Sequence, residues 1–330
     1  MCQATVNFLR AAGKEVHVIA KTHASLRRFA DKKGETADRW LKWHVTRAQG
    51  KLPDVLVIEE ISLIGLNLWT AVCTMSLTKK VQIILSGDLF QLDPPKNTWC
   101  GLPVARHALK HSDLLYQLAG GNRCHLDQNL RSDPKIYDFC KTLRDEKADL
   151  AERLIAAKET FPQQDGCPDT VLVISHANRE RYNRDINNHK RPEDAVFLEL
   201  SGKSTRDECK PQPMWVWEGM TVVGHLKPCD NSQLYTVCSV TDSKVVLKTL
   251  ENTRSDGSVP ESRQVEVTRT SAPYVFRMSH AITYCKSQGL TLQGRVALVD
   301  VESPHFTLEH LNMGLTRTTH SSLVEIRASA

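Results

Sequence analysis

Two apolar runs in the first third of the chain each end on polar groups. Val55-Leu56-Val57-Ile58 closes on Glu59-Glu60, and Val81-Gln82-Ile83-Ile84-Leu85-Ser86 leads into Gly87-Asp88-Leu89-Phe90-Gln91-Leu92. A short run without strict alternation predicts a strand of a parallel sheet covered on both faces. Such sheets bind ligands at the carboxyl ends of their strands. The two runs therefore predict one edge carrying Glu59, Glu60, Asp88 and Gln91. Paired carboxylates suit Mg²⁺ and an attacking water, and a polar group beyond them suits a γ-phosphate. Taken singly, each stretch reads equally well as a core strand with an acidic turn.

The same patterning organises the rest of the chain. Helical spacing predicts helices over residues 3–12, 24–33, 36–49, 66–75, 107–118 and 134–147, with strands at Val16-His17-Val18-Ile19-Ala20, Val171-Leu172-Val173-Ile174-Ser175 and Val296-Ala297-Leu298-Val299-Asp300. Between residues 192 and 275 the period changes to two. Met214-Trp215-Val216-Trp217, Met220-Thr221-Val222-Val223, Tyr235-Thr236-Val237, Val245-Val246-Leu247 and Val265-Glu266-Val267 are divided by Gly224, Asp230-Asn231 and Ser255-Asp256-Gly257. This is strand-and-turn chemistry for a small β-barrel-like insert. The expected organisation is an α/β domain over residues 1–125, a second over 126–191 and 276–330, and the insert over 192–275. Trp215 and Trp217 share one face of a strand; packing in the insert core is the favoured reading over base stacking.

Composition narrows the picture only slightly. The 330 residues are 41% hydrophobic and 25% charged, as ordinary globular proteins are. No apolar run approaches the length of a membrane helix and no signal-peptide pattern opens the sequence, so an intracellular protein is expected. The formal charge of +5, from 43 basic and 38 acidic residues, is compatible with a phosphate-rich partner without requiring one. Ten cysteines, none in a Cys-x-x-Cys pair, read as reduced thiols, and no structural metal is expected. His107 and His111, four apart with Cys124-His125 downstream, complete no zinc spacing.

A more specific signal comes from five segments in order. Ala281-Ile282-Thr283-Tyr284-Cys285-Lys286-Ser287-Gln288-Gly289-Leu290-Thr291-Leu292 resembles motif V of superfamily 1B DNA helicases, the RecD-like branch that includes the Pif-type enzymes. Glu59-Glu60-Ile61-Ser62 is similar to motif II and Gly87-Asp88-Leu89-Phe90-Gln91-Leu92 to motif III. Leu126-Asp127-Gln128-Asn129-Leu130-Arg131 is similar to motif IV, and Met313-Gly314-Leu315-Thr316-Arg317 to motif VI. Lys21-Thr22-His23-Ala24-Ser25 stands where motif Ia belongs.

The resemblance implies two RecA-like domains of the P-loop NTPase type, the first truncated, with an SH3-like insert in the second. It implies an ATP- and Mg²⁺-dependent helicase or translocase on single-stranded DNA, or on duplex with a single-stranded tail, running 5′ to 3′ in a repair or recombination setting. Glu60 would orient the attacking water and Glu59 would hold Mg²⁺, although the family usually has Asp there. Asp88, Gln91 and Gly289 would face the nucleotide, with Gln91 sensing the γ-phosphate. Arg131 and Arg317 are the arginine-finger candidates, completing the site when the domains close. Thr22, His23, Thr283, Lys286, Ser287, Gln288 and Thr291 would follow the DNA backbone, a contact mode that is salt-sensitive and sequence-tolerant. Each has a plain structural alternative: a turn for Gln91, a surface ion pair for either Arg.

One family element is missing from the sequence. A Gly-x-x-x-x-Gly-Lys-[Ser/Thr] loop, whose amides and Lys cradle phosphates, should precede motif Ia. Gly13-Lys14 is followed by Glu15, with Phe8 where the first Gly belongs; Gly202-Lys203-Ser204 has Phe197 in that place and lies in the wrong half. A sequence clipped before its loop, or a degenerate relative, is expected, with negligible ATP turnover. The alternative function is a non-hydrolysing single-strand-binding module derived from a helicase.

Overall fold

Residue-by-residue burial along the strand Val55–Glu59 (β3) shows how the first unit is built. Val55 and Val57 pack with Val6, Val16 and Val18, whereas Leu56 and Ile58 pack with Trp40, Trp69 and Val72. Alternate side chains thus serve cores on opposite faces, which is why the run lacks alternation in its sequence. The computed structural model describes all residues except 1, 27–28, 30–33, 95–96, 106–107, 111, 201–209, 251–261 and 329–330, together with the side chains of residues 23 and 24. Two units divide the chain, Met1–Gln128 and Asn129–Ala330.

In the first unit, β1 (Val16–Ala20), the short β2 (Glu35–Thr36), β3 and β4 (Gln82–Ser86) form a parallel sheet in the order β2-β1-β3-β4. Helices α1 (Cys2–Ala11), α2 (His23–Leu26), α3 (Ala37–Leu41) and α4 (Leu66–Thr78) connect or flank these strands. The helix expected over 36–49 is α3 followed by one wide turn, Lys42–Thr46. Among the described residues of the helix expected over 107–118, only α5 (Leu114–Leu118) is helical, beginning after Ser112-Asp113, residues with helix-start chemistry. His107 and His111 lie outside the described residues. A hairpin of β5 (Thr98–Trp99) and β6 (Leu102–Pro103) turns at Cys100-Gly101, both at positive φ.

The second unit has its own parallel sheet, β15-β7-β16-β17: β7 (Thr170–Val173), β15 (Ala281–Thr283), β16 (Val296–Leu298) and β17 (Val324–Ile326). Its helices are α6 (Pro134–Thr142), α7 (Leu150–Thr160), α8 (His176–Lys190), α10 (Tyr284–Ser287) and α11 (Leu308–Leu315). Asp133, Asp149 and Ser175 accept hydrogen bonds from the first-turn amides of α6, α7 and α8. The helix predicted to reach residue 147 stops at Thr142.

Residues 192–275 form mostly antiparallel structure. β8 (Val196–Leu198) pairs β9 (Met214–Val216), and β10 (Thr221–Gly224), β11 (Leu234–Val240), β12 (Lys244–Thr249), β13 (Gln264–Thr268) and β14 (Phe276–Met278) form a sheet in the order β13-β12-β11-β10-β14. A short helix, α9 (Ala272–Val275), precedes β14. Period-two burial holds, but at β9 the fully buried face belongs to Met214 and Val216. The tryptophans take the half-buried face: Trp215 tilts against Phe197 with Arg191 over its ring, and Trp217 packs beside the core. Gly202-Lys203-Ser204 lies outside the described residues.

Candidate functional site

Strand register determines what reaches the edge of the first sheet. Ala20 pairs with Glu59 and Glu59 with Ser86, so three neighbouring strands end level and deliver a carboxylate and a hydroxyl side by side. The chain then turns sharply. Glu60 sits in the left-handed region at φ 53° and ψ 55°, a conformation that costs a side-chain-bearing residue about 1 kcal/mol or more. Opposite it, Gly87 at φ 154° leaves no room for a side chain: a Cβ there would lie 2.7 Å from the Ile61 amide nitrogen. The close approach of β4's end to the Glu60-Ile61 peptide holds that turn, and the Gly-Asp pair after the apolar run was its only sequence signal.

Both glutamates are buried. The Cys2 thiol at the start of α1 reaches Glu59 and Ser86. Burial, then the charge of Glu59 and a hydrogen bond to it, push this thiol up to about 12, so it stays protonated and donates to the carboxylate. Cys2 was absent from the sequence-based site. Beyond Gly87, the Asp88 carboxylate accepts from the Phe90 amide at 2.9 Å and closes a turn that carries Gln91. The Gln91 Oε1 is buried with no hydrogen-bond partner among the described residues, as is Ser62 Oγ. A buried amide oxygen left unpaired costs about 1–3 kcal/mol, so this loop suits an added donor or a bound water. Oxygen donors at a sheet edge match what Mg²⁺ and a nucleotide require, and the residues fit that group.

Thr22 binds Ser25 through its hydroxyl at 2.9 Å and also accepts from the Ser25 amide. His23 opens α2; its side chain lies outside the described residues.

In the second unit the sequence-predicted residues converge on one turn. The Arg317 guanidinium, 2% exposed, donates to the carbonyls of Met313, Ser287 and Leu290 at 3.0 Å and to Thr316 Oγ1 at 3.1 Å. Arg131 donates to the Leu290 carbonyl at 3.3 Å and to Thr291 Oγ1 at 3.1 Å. Leu290 O is therefore shared by both arginines. Ser287 is fully buried and donates to the Tyr284 carbonyl; Gln288 is buried as well. Gly289 turns at φ 78°. Thr283 caps α10 through its hydroxyl, and Lys286 Nζ donates to Asn231 Oδ1 of the insert at 2.9 Å. The structure thus ties the 287–291 turn to Arg131, Arg317 and, through Lys286, to the β10–β11 loop. Asn231 was read from sequence only as a turn residue.

Residues 1–160 match the family model described as AAA domain. No curated protein matches the sequence significantly. The fold is similar to that of Pif1 helicase from Candida albicans, with a TM-score of 0.65 at 16% identity over 98% of this chain and 87% of that one. It is similar to Bacteroides sp Pif1 in complex with ADP-AlF4, TM-score 0.58 at 17% identity, covering 99% and 86%. It is also similar to Bacteroides Pif1 bound to ssDNA, TM-score 0.56 at 16% identity, covering 97% and 84%. The mixed α/β fold with parallel RecA-like sheets is that of these helicases, and the resemblance to the superfamily 1B, Pif-type branch holds at the level of fold.

Proposed function

We propose that this protein is an ATP-dependent, single-stranded-DNA-translocating helicase of the Pif-type branch, running 5′ to 3′. The observation that carries the reading is the level ending of β1, β3 and β4, which brings Glu59, Glu60 and the Gly87–Gln91 turn to the carboxyl-terminal edge of the first sheet, where parallel α/β sheets generally bind ligands. Support comes from Pif1 structures of the same fold that contain ADP-AlF4 or ssDNA.

Bound Mg·ATP would supply the phosphoryl group and the metal charge that stabilises its transfer to water. Glu59, beside Ser86, is the residue that would hold Mg²⁺, which requires the Cys2 thiol to give way. Glu60, fixed by its left-handed turn, would orient the water and take its proton. Gln91 would offer its amide to the terminal phosphate, with Asp88 holding the loop in shape. In the second unit, Thr283, Lys286 and Thr291 keep part of their surface and would meet backbone phosphates, as Thr22 and His23 would in the first. Gln288 and Gly289 would link that track to the nucleotide. Arg131 and Arg317 as fingers would each have to leave the Leu290 carbonyl; in the meantime they brace the motif V turn.

No complete Gly-x-x-x-x-Gly-Lys-[Ser/Thr] stands among the 330 residues, and negligible turnover is proposed for them. The competing reading, a single-strand-binding module with no use for hydrolysis, makes a different prediction for Glu60→Gln. Cells carrying that substitution lose the protein's activity if hydrolysis drives it; undiminished activity would overturn the motor.

A further inference from the structure

A cavity of about 210 Å³ opens in the second unit where the insert meets the parallel sheet. Thr170 and His280, at the amino-terminal ends of β7 and β15, line it. It therefore lies at the opposite end of these strands from Thr283 and Lys286, and the proposed function makes no use of it. Met220, Leu234, Leu250 and Ile282 give apolar walls, and Trp217 gives an aromatic one.

His280 is the unexplained group. Its side chain is 7% exposed, and Nε2 is buried without a hydrogen-bond partner among the described residues. The imidazole lies nearly parallel to the Trp217 ring, with centroids 6.0 Å apart and planes at 17°. Burial, then the charge of Lys190, lower its pKa to about 4, so it is neutral near pH 7 and carries one donor and one acceptor nitrogen. The charges at the rim already pair, since Lys190 Nζ lies 2.9 Å from the Pro168 carbonyl and 3.5 Å from Asp169 Oδ1. Ser279 donates its proton to the Thr221 carbonyl and keeps lone pairs free to accept. An apolar slot with an aromatic wall, a neutral imidazole and balanced rim charges favours an uncharged occupant with both donor and acceptor atoms. The volume is right for one ring system and too small for a nucleoside triphosphate.

We propose that this cavity binds a neutral planar heteroaromatic ring of nucleobase size, hydrogen-bonded to His280, at the seam between insert and sheet. The ring arrives either free or as one base of a strand. The site stands independently of the nucleotide reading above.

Ligand-observed saturation-transfer NMR on the full chain tests this, with adenine, benzoate and a ten-residue oligo-dA as probes. Adenine should bind saturably with a Kd on the order of 1 mM, as a fragment of that size does, and benzoate should not bind. His280→Phe keeps the stacking and removes the nitrogens, and should weaken adenine at least tenfold. Gln293→Trp, at an exposed lining position, should do the same by blocking the mouth, and it keeps the test alive if the His280 variant fails to fold. Weakening of adenine alone marks a free ring, and weakening of both adenine and oligo-dA marks a base of a strand. Absence of saturable adenine binding to the unsubstituted chain, or adenine binding that Gln293→Trp leaves unchanged, would overturn the proposal.

Discussion

The two sites singled out by sequence are built in opposite ways. At the edge of the first sheet, polar atoms wait: Gln91 Oε1 and Ser62 Oγ are buried without hydrogen-bond partners among the described residues, and Glu60 holds a left-handed backbone. In the Ser287–Thr291 turn of the second unit, the Ser287 and Thr291 hydroxyls and the Ser287 and Leu290 carbonyls are all engaged. Arg317 alone makes four hydrogen bonds and Ser287 turns its hydroxyl back to Tyr284. Strain and unpaired groups mark a place prepared for something to bind. Cross-bracing marks a segment whose shape must survive while its surface works. On the proposed function, chemistry and coupling would leave different physical signatures in the two segments.

The sharpest way to break this contrast is to remove the brace. Arg317→Ala removes the hydrogen bonds of a buried guanidinium and empties the space it fills, and a loss of about 3–5 kcal/mol is expected in denaturant unfolding. Arg131→Ala, at an exposed position sharing the same Leu290 carbonyl, should cost less than about 1 kcal/mol. Equal costs would mean that the turn is not braced from inside. Acid offers a second probe. His280 falls from 6.5 to about 4 on folding, so its contribution is fully present above pH 6.5 and is lost as pH drops towards 4. At roughly 1.4 kcal/mol per pH unit this amounts to about 3 kcal/mol. The drop should be visible in urea midpoints and largely absent in His280→Phe. On the poised side, Gly87→Ala forces a Cβ onto the Ile61 amide and should cost about 2 kcal/mol while displacing Glu60. A neutral effect would show that the Glu60-Ile61 turn is not held by β4.

Much of this was legible in the sequence because it rests on period and on short-range chemistry. The uninterrupted Val55-Leu56-Val57-Ile58 run gave the central strand, and period two gave β10 to β13 with ends within three residues. Helix ends were less visible. Nothing local distinguishes Thr142 from Lys147 as a stopping point, and α7 and the Thr98–Pro103 hairpin passed unread because Asp149 and Cys100-Gly101 are weak signals alone. In the candidate site, sequence yielded the groups and missed their partners. Cys2 meets Glu59 only through the packing of α1, and Asn231 meets Lys286 across 55 residues. Trp215 of β9 misled for a related reason. Its size argues for burial, but the strand's register gives the fully buried face to Met214 and Val216, whereas Trp217, just beyond the strand, does pack against the insert core.

Fluorescence anisotropy of the full chain with labelled single-stranded oligonucleotides, one oligo-dT and one of mixed sequence, tests the central claim most directly. The two should bind with matching Kd and a steep loss of affinity with salt. Lys286→Ala should weaken both alike and lower the salt slope by about one. Undetectable binding, or affinity that ignores salt and follows base sequence, would contradict the account.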